Sequence, residues 1–493
     1  MRAHLPFSHT GAAIAAAATL ALAAPAAANV PLTQVSSDPF TNSTSQHATE
    51  VEPDTFARGS TVVSAFQVGR FFDGGATDIG FARSTDGGST WTHGSLPGLT
   101  ATSGIPSSTG GPFERVSDAS TAFDAKHGTW LVSSIPLVPG SLDVPTVFVS
   151  RSTTGGASWG DPASIPPPAV PTTKVDLDKN WTVCDNTPAS PFYGHCYTEF
   201  DNFGQGDLEY MSTSTDGGQT WSVPASTAGN DKGLGGQPLV QPDGTVIVPF
   251  EALNGKMQAF RSTDGGVSWS RAVTISDIRF HDNAGGLRTS PLPTAEIDRS
   301  GTVYVAWEDC RFRKNCTAND IVFSTSSDGN AWGPVMRVPI DDVTSGVDHF
   351  IPGLAVDPAQ SGGRVALTYY FYPDTTCSGG CQLDVGYISS PDGGAHWGAP
   401  TQLAGPMSLS DIAATSQGPM VGDYISTSFS GTKAVPVFAV GLPHNGPFNE
   451  AMYAPTTPLS VATSAKATRA ATSSGVQGGG NGTGTAHHAI RRN

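Results

Sequence analysis

One eight-residue pattern recurs along this chain and constrains its fold more than any other feature. Ser84-Thr85-Asp86-Gly87-Gly88-Ser89-Thr90-Trp91 sets the spacing Ser-x-Asp-x-Gly-x-x-Trp. Ser214 to Trp221, Ser262 to Trp269 and Ser390 to Trp397 repeat it. Ser152 to Trp159 keeps the spacing with Thr154 in the Asp position, and Ser326 to Trp332 is one residue short. The copies lie roughly 50 to 70 residues apart, a period that means stacked supersecondary units. Each reads as a tight turn. Asp86 can accept hydrogen bonds from its own backbone, and Gly87 and Gly88 allow positive φ. A strand precedes the turn, at 78–83, 209–213 and 257–261, and Trp91 opens the next. Its ring is placed to fill the seam between neighbouring units. These turns hold structure and carry no chemistry.

Composition agrees with an all-β chain. Gly, Pro, Ser and Thr abound, valine-rich alternating runs dominate, and helical periodicity is hard to find. Residues 1–28 carry Arg2 and His4, an Ala/Leu-rich run and Ala26-Ala27-Ala28, as a secretory signal peptide does. Residues 29–456, about 425 of them, suit one propeller. Residues 457–493 are Thr/Ser/Ala-rich, then Gly/Asn-rich, and are expected to be a disordered tail. The net charge of −16 argues against nucleic acid and anionic membrane as partners. A secreted, extracellular monomer is expected. The six cysteines fall into close pairs, Cys184 with Cys196, Cys310 with Cys316 and Cys377 with Cys381. In an exported chain, local disulfides are the first reading.

Starts of inner strands give a blade count. They are Glu52-Pro53-Asp54, Ser117-Asp118, Asn180-Trp181, Gly236-Gln237-Pro238, Thr289-Ser290-Pro291, His349-Phe350-Ile351 and Gly422-Asp423-Tyr424. The last unit lacks its turn motif, and Pro31 to Ser36 would supply its fourth strand. Closing the ring this way removes exposed edges. A β-propeller of seven four-stranded antiparallel blades is therefore preferred.

In such blades the repeated turn joins the third and fourth strands on one face. Inner-strand starts and second-to-third loops lie on the other, where chemistry is expected. The starts bring Glu52, Asp54, Arg115, Asp118, Lys179, Asn180, Gln237, Arg288, Asp348, His349, Asp423 and Tyr424. The loops bring Arg70, Asp73, Asp78, Glu199, Asp201, Glu251, Glu308, Asp309, Arg311 and Arg313. Guanidinium forks bind carboxylates bidentately, and paired carboxyls supply acid and base for glycosidic cleavage.

The six in-register turns resemble the Asp-box, or bacterial neuraminidase repeat, of the sialidase superfamily of β-propellers. The resemblance covers residues 52–455 and leaves six blades as the alternative count. It implies a carbohydrate or glycoconjugate substrate and release of terminal acidic sugars, as by an exo-alpha-sialidase. In Gly69-Arg70-Phe71-Phe72-Asp73, ahead of the first box, it implies Asp73 as general acid/base, with Asp78 as the alternative. Tyr424 matches the tyrosine nucleophile. Arg115, Arg288 and Arg311 match a carboxylate clamp by position. Gln237 stands where a glutamate would activate the tyrosine, so Glu251 or Asp423 would serve as its base. Glu52-Pro53-Asp54 stands where an arginine-isoleucine-proline signature belongs.

A carbohydrate- or protein-binding propeller without chemistry, and a uronate polysaccharide lyase, are the alternative functions. His349 is a candidate ligand or base. No cofactor is expected, and Asp341-Asp342 is the candidate for calcium.

Overall fold

The computed structural model describes residues 30–103, 113–378 and 380–463, with the backbone of 468–469 and 471–472. The signal-peptide segment lies outside the described residues. What is described is all-β apart from single turns of 3-10 helix.

In chain order the strands form antiparallel sheets of four. The first sheet is Gln46–Arg58, Thr61–Arg70, Ala76–Ser84 and Thr92–Ser95. The second is Arg115–Asp124, Thr129–Leu137, Phe148–Ser152 and Ala163–Ser164. The third is Leu177–Cys184, Cys196–Asn202, Leu208–Ser214 and Ala225–Ser226. The fourth is Leu239–Val240, Val246–Ala252, Lys256–Ser262 and Val273–Asp277, with Gly233–Leu234 pairing beside Leu239–Val240. The fifth is Thr294–Ile297, Val303–Asp309, Asp320–Ser326 and Met336–Arg337. The sixth is Asp348–Val356, Val365–Tyr372, Gln382–Ser390 and Thr401–Ser408. The last is Ser426–Ser430, Lys433–Gly441 and Glu450–Pro455. Its outer partner is Leu32–Gln34, so the two ends of the chain share a sheet.

The repeated turns are closed by their own side chains. Asp86 Oδ1 accepts from the Ser89 and Thr90 N–H groups at 3.1 and 2.9 Å, and its Oδ2 from the Thr90 hydroxyl at 2.6 Å. The Thr90 hydroxyl above all holds the Asp86 pKa down, to about 2. Asp216 and Asp264 repeat the set. Thr154 substitutes a hydroxyl that accepts from the Ser158 N–H at 2.9 Å.

Each turn then seats on the sheet before it. A Cβ at Gly156 would stand 2.8 Å from Val63, at Gly218 2.7 Å from Leu131, and at Gly394 2.6 Å from Phe323. At Gly88 it would meet Val435 of the last sheet at 2.7 Å, so the first turn sits on the last sheet. The tryptophans fill the same seams. Trp159 packs on Phe81, Trp269 on Tyr197 and Trp397 on Phe323, with ring centroids 5.8, 6.2 and 6.0 Å apart. Burying a large apolar ring this way contributes about 1.5–3 kcal/mol.

Inner strands are stitched to one another by side chains that cap a neighbour's backbone. Asp54 accepts from the Thr121 N–H at 2.6 Å, Ser120 from Thr182 at 3.1 Å, and Gln237 from Ala295 at 2.8 Å. Thr294 accepts from Leu354 at 3.1 Å, and Ser426 from Thr55 at 3.0 Å.

The disulfides are Cys184–Cys196, Cys310–Cys316 and Cys377–Cys381, as their spacing suggested. Part of the expected tail, 457–493, pairs with strands, and its residues from 473 on lie outside the described residues. Leu459–Ser460 adds to Lys433–Gly441, Thr468–Arg469 pairs His396–Trp397, and Ala471–Thr472 pairs Met336–Arg337. Low-complexity composition does not prevent a segment from lending backbone hydrogen bonds to an open edge.

Gly394→Ala should lose ~1–3 kcal/mol through overpacking against Phe323. Gly59 also has positive φ, but a Cβ there would meet nothing within 4 Å. Gly59→Ala should therefore lose less in urea denaturation, and equal losses would remove the packing explanation.

Candidate functional site

The inner strands of the first three sheets each begin with a register shift, between Val51 and Asp54, Ser117 and Ser120, and Asp178 and Trp181. Within each shift one residue is left-handed: Glu52 at φ 57°, Asp118 at 53° and Lys179 at 52°. A non-glycine residue held there costs ~1–3 kcal/mol. The shift breaks the two-residue alternation of the strand. It brings these charged side chains into one cleft of about 430 Å³, with Arg70, Phe72, Asp73 and Arg288. The sixth sheet repeats the geometry with Ile351 at φ 47°, whose N–H caps Glu308 at 3.0 Å.

Asp423 sits under the cleft floor. Its Oδ1 accepts from Arg288 Nε at 2.7 Å, and its Oδ2 from Arg288 Nη2 at 2.5 Å and from the Lys179 ammonium. Burial alone would raise its pKa, but Arg288 and Lys179 hold it well below the usual carboxylate range. Burial alone would lower the Lys179 pKa, but the charges of Asp423, Asp118 and Glu52 raise it. Both groups are therefore ionised at neutral pH.

Glu52 behaves oppositely. Its Oε1 accepts from the Asp423 N–H at 3.1 Å and its Oε2 from the Gln67 amide. Burial, and then the charge of Asp423, push its pKa up to about 8. Gln67 Oε1 in turn accepts from Arg70 Nη1 at 2.5 Å. Arg70 is 2% exposed, and its Nε has no partner among the described residues. At the rim Arg115 Nη1 donates to Asp73 Oδ1 at 2.5 Å and to the Gly74 carbonyl at 3.1 Å. The Arg115 guanidinium lies 4.1 Å over the Phe71 ring. Phe72 is 55% exposed at the same rim, and its carbonyl accepts from the Ser416 N–H at 2.7 Å.

The structure thus gathers Asp73, Arg70, Arg115, Arg288, Asp118 and Asp423. Other expected site residues are placed elsewhere. Tyr424 is buried against Trp181, its hydroxyl donates to the Ala119 carbonyl at 3.1 Å, and burial raises its pKa well above 10. In this structure its hydroxyl is engaged by the backbone, and it does not line the charged cleft. Glu251 accepts from the Ser290 hydroxyl at 3.0 Å and does not line the cleft. Asp54 and Gln237 are the inner-strand stitches described above, and neither lines the charged cleft. Asp78 is fully buried, with burial raising its pKa far above normal.

Arg311 is forked onto Asp309 at 2.8 and 2.7 Å, away from the cleft, so it is no clamp arginine. His349 is buried against Tyr369 and Phe371, which lowers its pKa and makes it a packing residue. Asp341, offered to calcium by the sequence, is bound by Arg313 at 2.8 Å and Arg337 at 2.5 Å. Two guanidinium groups already supply the positive charge a cation would bring.

Gln67 and Phe72 escaped sequence reasoning. Glu52 and Lys179 were placed at strand starts without a role. The available signal was a charged residue at the same bulge position in consecutive sheets.

Comparison with known proteins places the repeat. Residues 201–353 match the BNR repeat-like domain family. No curated protein matches the chain. Among solved structures, a protein of unknown function from Dyadobacter fermentans is 17% identical over 75% of this chain and 100% of that one, with TM-score 0.46. The intramolecular trans-sialidase from Ruminococcus gnavus is 14% identical over 67% of this chain and 91% of that one, with TM-score 0.44. The phage phi92 endosialidase is 11% identical over 88% and 70%, with TM-score 0.47. The repeated turns and the matched region make residues 201–353 similar to the BNR repeat-like domain family.

Proposed function

We propose that the sheets are the blades of a closed seven-bladed propeller and that the protein is a secreted glycoside hydrolase acting on a terminal acidic sugar. The observation that carries the reading is a proton-bearing carboxyl, Glu52, in one cleft with the carboxylates of Asp118 and Asp73. Glycoside cleavage needs that division between acid and base. Glu52 donates its proton to the glycosidic oxygen as the bond to the anomeric carbon breaks. A water attacks that carbon and gives its proton to Asp118. The exposed Phe72 ring offers a face for the sugar, and the unpartnered Arg70 Nε offers a donor for its carboxylate. The disulfides suit an oxidising compartment and support export.

A binding protein without chemistry is the second reading. The commitment of Arg288 and Lys179 to Asp423 favours it, because neither cation is left unpaired for a substrate.

Aryl sialosides, uronides and arabinosides offered to the purified protein separate these readings. Release of aryl alcohol from one of them is expected, and Glu52→Gln should lower kcat by ~10²–10⁴-fold. Binding of a glycan with no product from any of them would leave the second reading, and an unsaturated product would mean elimination.

Tyr424→Phe should keep turnover within a few-fold of wild type, losing about 0.5–1.5 kcal/mol of stability with its hydrogen bond. A Tyr424→Phe protein that folds and is inactive would restore the tyrosine to the chemistry.

The Glu52 proton also fixes two pH dependences. The rate should fall as pH rises through about 8, where the acid is lost. The folded-state pKa lies above the unfolded one, so the stability it contributes is complete below about 4.5 and disappears as pH rises through about 8. Asp54 and Glu251, each pushed by burial to about 7, share that slope. Denaturant midpoints between pH 5 and 9 should therefore fall in wild type and fall less in Glu52→Gln. Identical slopes would place the proton elsewhere.

A further inference from the structure

We propose that Gln67 is a positioning residue that decides which oxygen of Glu52 carries the proton. Gln67 is fully buried in Thr61–Arg70, where Val51 and Ile79 are its partners on the two neighbouring strands. The register shift that begins after Val51 sets Glu52 over it. The Gln67 amide is held at both ends. Its oxygen accepts from Arg70 Nη1 at 2.5 Å, and its nitrogen donates to Glu52 Oε2.

That orientation is forced. A guanidinium has donors and no acceptor, so the amide oxygen must face Arg70 and the NH2 must face Glu52. An N–H cannot bond an oxygen through that oxygen's own proton, so Oε2 must offer it a lone pair. Oε1 accepts from the Asp423 N–H at 3.1 Å and, having a second acceptor position, can carry a proton as well. The proton therefore belongs on Oε1. Glu52 lines the charged cleft and Gln67 does not, so the arrangement keeps the proton off the oxygen turned to the interior.

The charged and titratable groups around Glu52 are Asp423, Asp118, Lys179, Arg70 and the Tyr424 phenol. They set how readily the proton leaves, and Gln67 sets where it is. Placing the proton needs only the hydrogen bonds. Its use on a glycosidic oxygen rests on the hydrolase reading above.

Gln67→Glu keeps the size of the side chain and its bond to Arg70 but puts an acceptor where the donor was. The Glu52 proton should then be drawn to the new carboxylate and away from the cleft. Carbon-13 NMR of the full chain, labelled in its glutamate carboxyls, reads this directly, with the Glu52 signal identified by its loss in Glu52→Gln. Glu52 should titrate at least about one pH unit higher in Gln67→Glu than in wild type. Gln67→Met removes the donor without adding a charge and should raise the titration less. Thermal melts show which variants fold, and Gln67→Met keeps the test valid if Gln67→Glu does not. On an aryl glycoside that wild type cleaves, Gln67→Glu should lower kcat by ~10²–10⁴-fold with KM within a few-fold. A Glu52 titration unmoved in the folded variants would overturn the assignment even if kcat fell, because a merely structural glutamine would lower activity without moving the proton. A shifted titration in a protein that cleaves no aryl glycoside would sink the hydrolase reading and leave the role of Gln67 standing.

Discussion

Everything in this molecule depends on how closely each repeated turn approaches the sheet before it. A sheet of four strands has two faces and two edges to protect, and no α-helix is present among the described residues to cover them. The Asp carboxylate of each turn solves the local half of this problem. By accepting from N–H groups and a hydroxyl of its own turn, Asp86 fixes the turn's shape without help from outside. The glycine then lets that rigid turn press against a neighbour at a distance no side chain allows. Gly88 on Val435 makes the same contact between the first and last sheets that Gly156 makes between the first and second. Stability is distributed over these seams, and each tryptophan adds apolar burial to the seam its turn creates.

Crowding inner strands together has an electrostatic consequence. Strand starts and the end of Thr61–Arg70, far apart in sequence, bring Arg70, Lys179 and Arg288 beside Glu52, Asp118 and Asp423. Buried charges are costly unless paired, and Asp423 takes two of the cations. That leaves Glu52 next to an anion whose positive partners are already engaged. Keeping a proton is cheaper for Glu52 than adding a further negative charge at the same spot. One carboxyl is thus ionised and its neighbour neutral because of where the cations went, with no difference in residue chemistry needed.

The scaffold was legible because its signals are local. The turn motif, the alternating strands and the paired cysteines each depend on neighbours in sequence, and their spacing survives inspection. The pairing of Leu32–Gln34 with the last sheet was legible for a related reason: the last unit lacked one strand. The cleft was legible only as a collection of strand starts. Which way each side chain points was hidden, because the left-handed bulges at Glu52, Asp118 and Lys179 add a residue and shift the alternation. Asp54 and Glu52 are two residues apart, which in a regular strand would put them on one face. The bulge between them instead sends Asp54 to the Thr121 backbone and Glu52 to the cleft. Gln237 misled in the same way, since capping Ala295 leaves no trace in sequence. Leu459–Ser460 were hidden because their partner, an open strand edge, is remote.

Turns and cleft lie at opposite ends of the same strands, so the geometry of one does not depend on the residues of the other. Nothing that Asp86 or Gly88 needs is supplied by Glu52 or Lys179, so either end can vary alone. A tyrosine at the start of the last sheet illustrates the point. A nucleophilic phenol must shed its proton, and the site must favour the anion. Burial of Tyr424, with Glu52, Asp118, Asp54 and Asp423 around it, does the reverse. Its hydroxyl is also occupied by the Ala119 carbonyl, which rewards the neutral form. Glu52, at the neighbouring bulge, is also buried with both oxygens hydrogen-bonded, but it lines the charged cleft and burial favours its proton-bearing form. The physical environment of Tyr424 therefore favours its neutral phenol, whatever the strand start looks like in sequence.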